Sequence, residues 1–217
     1  MNFDQARFNM VEQQIRTWHV LDPKVLEALQ SLKRELFVPA EYQNLAYSDT
    51  EIPLSDDKVM PAPCIQARLV HDLHLTGTEK VLEIGSASGY TTALIGQLCA
   101  RVIGIESDAR LVQSAKLNLQ NSNVTNADVR VGLHSEGCPA EGPFDAIILQ
   151  GSVAQVPQSL LDQLQVNGRL IAVVGEDPMM QTCLIKRMGP SSFSHQNLWD
   201  TVVQRLQGIQ EPSHFHF

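Results

Sequence analysis

The chain has 217 residues, of which 43% are hydrophobic and 18% charged, and a formal net charge of −8. That is enough apolar sequence for one buried core, and it excludes an unstructured polyelectrolyte. The acidic balance and the absence of any Lys/Arg run exclude the concentrated positive charge that nucleic acid or an anionic membrane requires.

No apolar run approaches the ~20 residues of a membrane span, and the N-terminal stretch through Gln14 is too polar for a secretory leader. Cys64, Cys99, Cys138 and Cys183 lie far apart with no CxxC pair. Neither a disulfide framework nor a metal site is expected of them, and they suit a reducing, cytoplasmic setting.

The chain divides into residues 1–78, helical and then irregular, and residues 79–217, where strand-like and helix-like runs alternate. Phe8, Val11 and Ile15 fall near one face of a helix expected over Asp4 to Trp18. Asp22-Pro23 starts a second helix: the aspartate caps free N–H groups, proline takes the first helical position, and Val25, Leu26, Leu29 and Leu32 line one face. Phe37 to Pro63 holds four prolines and little periodicity. Such a stretch inside a domain is either a functional loop or a cover on the sheet. His71 and His74 fit an i, i+3 pair on a helix, which reads either as two metal ligands or as solvated positions.

Strands follow at Lys80–Ile84, Arg101–Ile105, Val124–Val131, Phe144–Leu149 and Gly168–Val174, with helices at Tyr90–Cys99, from Asp108 to about Leu119, and from Pro157 through Leu160, Leu161 and Leu164. Met180–Met188 and Phe193–Leu206 complete the sheet. The strands are apolar on both sides, as in an α/β sheet covered by helices on both faces. The fold expected is therefore α/β and Rossmann-like: one compact unit, with residues 1–78 as an N-terminal cover.

The informative segment is Val81-Leu-Glu-Ile-Gly-Ser-Ala-Ser-Gly-Tyr90, a buried strand turning through small residues into a helix. Gly85 and Gly89 permit the tight turn and a close ligand, and the helix N-terminus offers free N–H groups. Glu106 ends the next strand, where a carboxylate can accept hydrogen bonds from ribose hydroxyls. The loop lacks the third glycine spacing of a dinucleotide fingerprint and has no Gly-Lys-Ser/Thr. Glu83 adds a carboxylate able to hold an amino group. A ligand with an ammonium and a ribose but no pyrophosphate fits: S-adenosylmethionine. A strand that merely turns at glycines is the plainer reading.

These residues, with others, resemble the protein-L-isoaspartate O-methyltransferase family over nearly the whole chain. The matching runs are Arg7-Phe-Asn-Met-Val-Glu-Gln-Gln-Ile15, Phe37-Val-Pro39, Ala46-Tyr-Ser-Asp49 with Ile52-Pro-Leu54, Glu83 to Tyr90, Phe144-Asp-Ala-Ile-Ile148 and Leu164-Gln-Val-Asn-Gly-Arg-Leu170. The resemblance implies an S-adenosylmethionine-dependent carboxyl methyltransferase of the protein-repair type, acting on isoaspartyl peptides or proteins. It places Glu83, Gly85, Ser86, Ala87, Ser88, Gly89, Glu106 and Leu133 at the cofactor, and Val59, Met60 and Pro61 on the acceptor side.

Three positions depart from the family pattern. The family's T-I-S-x-P reads Val59-Met-Pro-Ala-Pro63, so Pro61 stands where a serine is usual and offers neither a hydroxyl nor an N–H. Leu133 replaces the aspartate of a G-D-G run, and Ala87 replaces the middle loop glycine. Isoaspartyl methylation supported by backbone and shape, a different carboxylate or small-molecule acceptor, and a non-catalytic ligand-binding relative are the readings these changes allow. His134 is either an adenine contact or a plain loop residue, and Cys64 reads as packing rather than a nucleophile. Ser48 and Asp49 fall in the presumed substrate loop without an assignable role, and His214–Phe217 reads as a short end.

Overall fold

In the computed structural model, residues 1–55 and 57–210 are described; the expectation for His214–Phe217 lies outside them. Seven strands form one sheet: β3 (Lys80–Ile84), β4 (Arg101–Glu106), β5 (Ala127–Val131), β6 (Phe144–Val153), β7 (Leu164–Glu176), β8 (Met179–Arg187) and β9 (Phe193–Asp200). Their order is β5-β4-β3-β6-β7-β8-β9. Pairing is parallel from β5 to β7 and antiparallel at β7–β8 and β8–β9. The chain leaves β3 toward β4 and later returns to its other side as β6, so the strand order reverses around β3. Open parallel sheets bind ligands outside the carboxyl ends of the strands at such a reversal.

The two faces of the sheet are covered differently. Val81, Val102, Ile148 and Ile171 join α3 (Pro63–Asp72), α4 (Tyr90–Gly96), α5 (Ala109–Asn121) and the N-terminal cover in one cluster. Met10, Ile15, Leu29 and Phe37 belong to that cluster, so residues 1–78 share a core with the sheet. On the other face Leu82, Ile84, Ile105 and Leu149 pack against Leu160, Leu161 and Leu206. The helix expected from Pro157 lies on this face and is a single turn, α6 (Gln158–Leu161). Leu164 is not its next apolar position; it pairs with Phe144 in the β6–β7 ladder, and strand pairing ends the helix.

The N-terminal helix α1 (Phe3–Asn9) opens into a wider π-type turn over Met10–Ile15 and closes in a 3₁₀ turn, Arg16–Trp18. The wider turn shifts the buried face: Met10, Val11 and Ile15 are fully buried, while Phe8 is 50% exposed and off the core. In α2 (Pro23–Ser31) the Asp22 carboxylate accepts from the Lys24 N–H at 2.8 Å, as the cap requires. The proline-rich stretch forms a short hairpin, β1 (Ile52–Ser55) and β2 (Lys58–Met60), lying over the carboxyl ends of the strands. Helix α3 ends at Asp72, and His74 has a left-handed φ of 51°. The two histidines therefore do not share a helix face: His71 Nδ1 sits 2.9 Å from Asp72, and the rings meet edge to face at 5.8 Å.

Candidate functional site

The glycine loop is bent by its backbone. Gly85, Ala87 and Gly89 have φ of 83°, 47° and 84°. Ala87 thus takes a conformation usually left to glycine, which curls the loop between its two glycines. The Gly85 N–H donates to the Ile105 carbonyl at 2.8 Å and the Gly89 N–H to the Ser86 carbonyl at 2.8 Å. From α5, the Asn118 side chain donates to the Ser88 carbonyl at 3.0 Å. Gly89 is also required by packing, because a Cβ there would lie 3.0 Å from the Ala115 Cβ and 3.2 Å from its Cα.

Glu106 ends β4 facing this loop. Its Oε2 accepts from the Ala87 N–H at 3.0 Å, and its Oε1 accepts from the Asp108 N–H at 3.0 Å and from the Lys58 ammonium. Burial alone would raise its pKa, but Lys58 and the Asp108 N–H outweigh that and hold it below the usual range. Glu83, two residues before the loop, has no exposed surface and is not on the cleft wall. Its Oε2 accepts from the Thr92 hydroxyl, and burial pushes its pKa up to about 7. Ser86 and Ser88 are also buried, and the Ser88 hydroxyl meets the Met60 sulfur at 3.9 Å.

A narrow cleft of about 50 Å³ opens between the loop, the hairpin and a late segment of the chain. Gly85, Ala87, Glu106, Val59 and Pro61 line it. Of the remaining expected residues, Met60 ends β2 with its side chain buried, and Leu133 is 56% exposed and does not reach the cleft. Its neighbour His134 does, and is only 2% exposed. Ser48 and Asp49 are not on its wall. Cys64 is fully buried with its thiol pushed up to about 12 by burial, which suits packing and not nucleophilic attack.

Several contributors were not read from the sequence. Arg34 is fully buried, and its guanidinium donates to the Pro61 carbonyl at 2.7 Å and to the Gln66 side chain. Gln66 passes the network to the Thr91 hydroxyl at 2.7 Å, and the guanidinium lies 4.6 Å from the centre of the Tyr90 ring. Lys58 reaches both Glu106 and, at 3.1 Å, the Ser107 hydroxyl. Leu206 lies over the glycine loop, 2.7 Å from where a Gly85 Cβ would stand. Arg34 stands in the charged run Lys33-Arg34-Glu35, so it carries no local signal of burial, and neither Lys58 nor Leu206 carries one.

Residues 5–203 match the family model for protein-L-isoaspartate(D-aspartate) O-methyltransferase. Protein-L-isoaspartate O-methyltransferase 1 of Syntrophobacter fumaroxidans is 39% identical over 198 residues, 91% of this chain and 92% of the relative. The protein-L-isoaspartate O-methyltransferase of Rhodopseudomonas palustris is 37% identical over 202 residues, 93% of each chain. Among solved structures, a Plasmodium falciparum beta-aspartate methyltransferase in complex with S-adenosyl-L-homocysteine superposes with a TM-score of 0.77. It shares 21% identity and is covered over 96% of this chain and 100% of its own, a likeness of fold. Among the described residues no helix is long and apolar enough to cross a membrane.

Proposed function

The chain belongs to the protein-L-isoaspartate(D-aspartate) O-methyltransferase family, and on that premise we propose that it transfers a methyl group from S-adenosylmethionine to the free carboxylate of isoaspartyl residues in proteins. The observation that carries the reading is the pairing of a backbone-curled glycine loop with the buried, ionised Glu106 at the carboxyl ends of adjacent strands.

The donor set suits the cofactor. Gly85 leaves room for close approach, Ala87 and the start of α4 lie along the loop, and Glu106 has a carboxylate oxygen, Oε2, with one N–H partner and capacity for another. Leu206 and the Lys58 side chain share this space and must shift to seat a whole nucleoside. When bound, the cofactor supplies an electrophilic methyl on a sulfonium. The protein's part is to align and to exclude water. The acceptor carboxylate is ionised at neutral pH, so no side chain need take a proton from it.

Glu83 holds the floor of the loop through Thr92 and not the ligand itself. Pro61 faces the cleft without a donor, and its own carbonyl is turned into the protein toward Arg34. Orientation of the acceptor by shape and backbone follows from that geometry. The free thiols Cys64 and Cys99, both buried, accord with action in a reducing cytoplasm.

The test is a methyl-transfer assay with an isoaspartyl peptide and its normal aspartyl isomer, run beside calorimetric titration of S-adenosylhomocysteine. Transfer to the isoaspartyl peptide alone supports repair activity. Pro61 favours a second reading, methylation of a different carboxylate; binding of S-adenosylhomocysteine without transfer to either peptide would select it. Absence of binding at millimolar ligand would overturn both.

A further inference from the structure

His134 follows β5 and turns into the cleft beside Glu106, on the side away from exposed Leu133. Its Nδ1 lies 2.8 Å from the Gln207 carbonyl oxygen. A carbonyl oxygen only accepts, so Nδ1 carries the hydrogen. Burial lowers the pKa of this imidazole, which leaves the ring neutral near pH 7 with Nε2 as a bare acceptor. Nε2 is buried, has no hydrogen-bond partner among the described residues, and faces Glu106 Oε1 at 3.8 Å.

Two acceptors thus face each other across a gap too long for a bond between them. Nε2 is the one left without a donor: Glu106 Oε1 already accepts from Lys58 and the Asp108 N–H, while Oε2 has the Ala87 N–H and capacity for one donor more, so a ligand with two hydroxyl donors suits Nε2 and Oε2 together. An unpaired buried acceptor is costly, so a donor arriving at Nε2 recovers that penalty. A vicinal diol carries two hydroxyls at the spacing of neighbouring carbons, one for each acceptor. The end of β4 is where a ribose diol lies in folds of this kind.

Resting on the cofactor reading above, we propose that His134 is a ribose-binding residue of this chain: its Nε2 accepts a hydrogen bond from one ribose hydroxyl while Glu106 accepts from the other. The nucleoside is then selected by a histidine and a carboxylate acting together. Leu133, lacking a polar group and facing out, takes no part.

The experiment titrates S-adenosylhomocysteine and its 2′-deoxy and 3′-deoxy analogues into the parent protein and into His134→Phe, with folding checked by circular dichroism. His134→Phe is expected to weaken the full ligand about tenfold, a typical loss for one hydrogen bond in a site. For one deoxy analogue the parent and the variant should bind equally, because the hydroxyl His134 holds is already gone. Equal affinity of parent and variant for the full ligand overturns the proposal. So does an identical loss for all three ligands, which marks a merely structural role. Should the variant fail to fold, the ¹⁵N signal of His134 Nε2 in the parent decides: it moves on saturation if the bond forms, and stays fixed if it does not. If the parent binds none of the three, the cofactor reading itself fails and the proposal falls with it, a result distinct from a parent that binds and a variant that binds as well.

Discussion

The two walls of the cleft are built by opposite means. The glycine loop is local: five consecutive residues, three of them in left-handed backbone, set between a strand and a helix that are adjacent in sequence. The other wall is remote: Pro61, just past the hairpin, is held by Arg34 from a different turn, and Lys58 of the hairpin is tied to Glu106 across the sheet. A wall made from its own backbone resists side-chain loss elsewhere. A wall held by one buried guanidinium does not, and the two should fail separately when perturbed.

The largest effect is expected at Arg34. Arg34→Ala opens a cavity and leaves the Pro61 carbonyl and the Gln66 amide without their partner, at a cost of about 4 kcal/mol in urea unfolding. Arg34→Met fills most of the volume and should cost markedly less, since a buried cation is itself expensive. In both variants, molecules that remain folded should bind S-adenosylhomocysteine as the parent does and lose methyl transfer. Loss of cofactor binding in step with transfer would break the separation of the walls.

Glu83 tests the floor of the local wall through pH. Its folded pKa is raised to about 7 by burial, above its ordinary 4.5. The native protein therefore holds a proton that the unfolded chain releases. Stability contributed at this group is intact below the ordinary value and falls as pH rises through the window up to the raised one. Glu83→Gln removes that fall. Its stability relative to the parent should climb from nearly nothing at acid pH to about 3 kcal/mol above pH 8. A flat difference across thermal melts at several pH values would refute it.

Gly89→Ala strains a φ of 84° and presses on Ala115 of α5. A loss of about 2 kcal/mol and at least tenfold weaker S-adenosylhomocysteine binding are expected, with Arg34 and its partners undisturbed. Asp22→Ala, at a helix start remote from both walls, should cost about 1 kcal/mol through the lost cap and leave binding and transfer per folded molecule unchanged.

The local wall was legible because its determinants are neighbours in the sequence. Gly85, Gly89 and the acid ending the next strand sit at fixed spacings set by the strand–turn–helix unit, and the alternating strands and helices gave the sheet by the same short-range logic. The misses share one cause. The orientation of Leu133 and His134 depends on which face of the post-β5 loop meets residues 203–207. The end of α6 was decided by the pairing of Leu164 with Phe144, the end of the helix carrying His71 by the left-handed turn at His74, and the outward turn of Phe8 by one wide turn of helix. Lys58 on Glu106 and Leu206 over Gly85 join residues far apart in the chain, and no spacing rule reaches that distance.

Leu206 has a consequence for how the protein comes into being. The loop that it covers is synthesised long before it, and so is the hairpin that Gln204 and Gln207 tie down through Val59 and Asp57. Until residues 203–207 leave the ribosome, the nascent chain holds a glycine loop with its apolar underside open and a hairpin with no anchor on that side. Arrival of residues 203–207 then closes the core and the cleft in the same event.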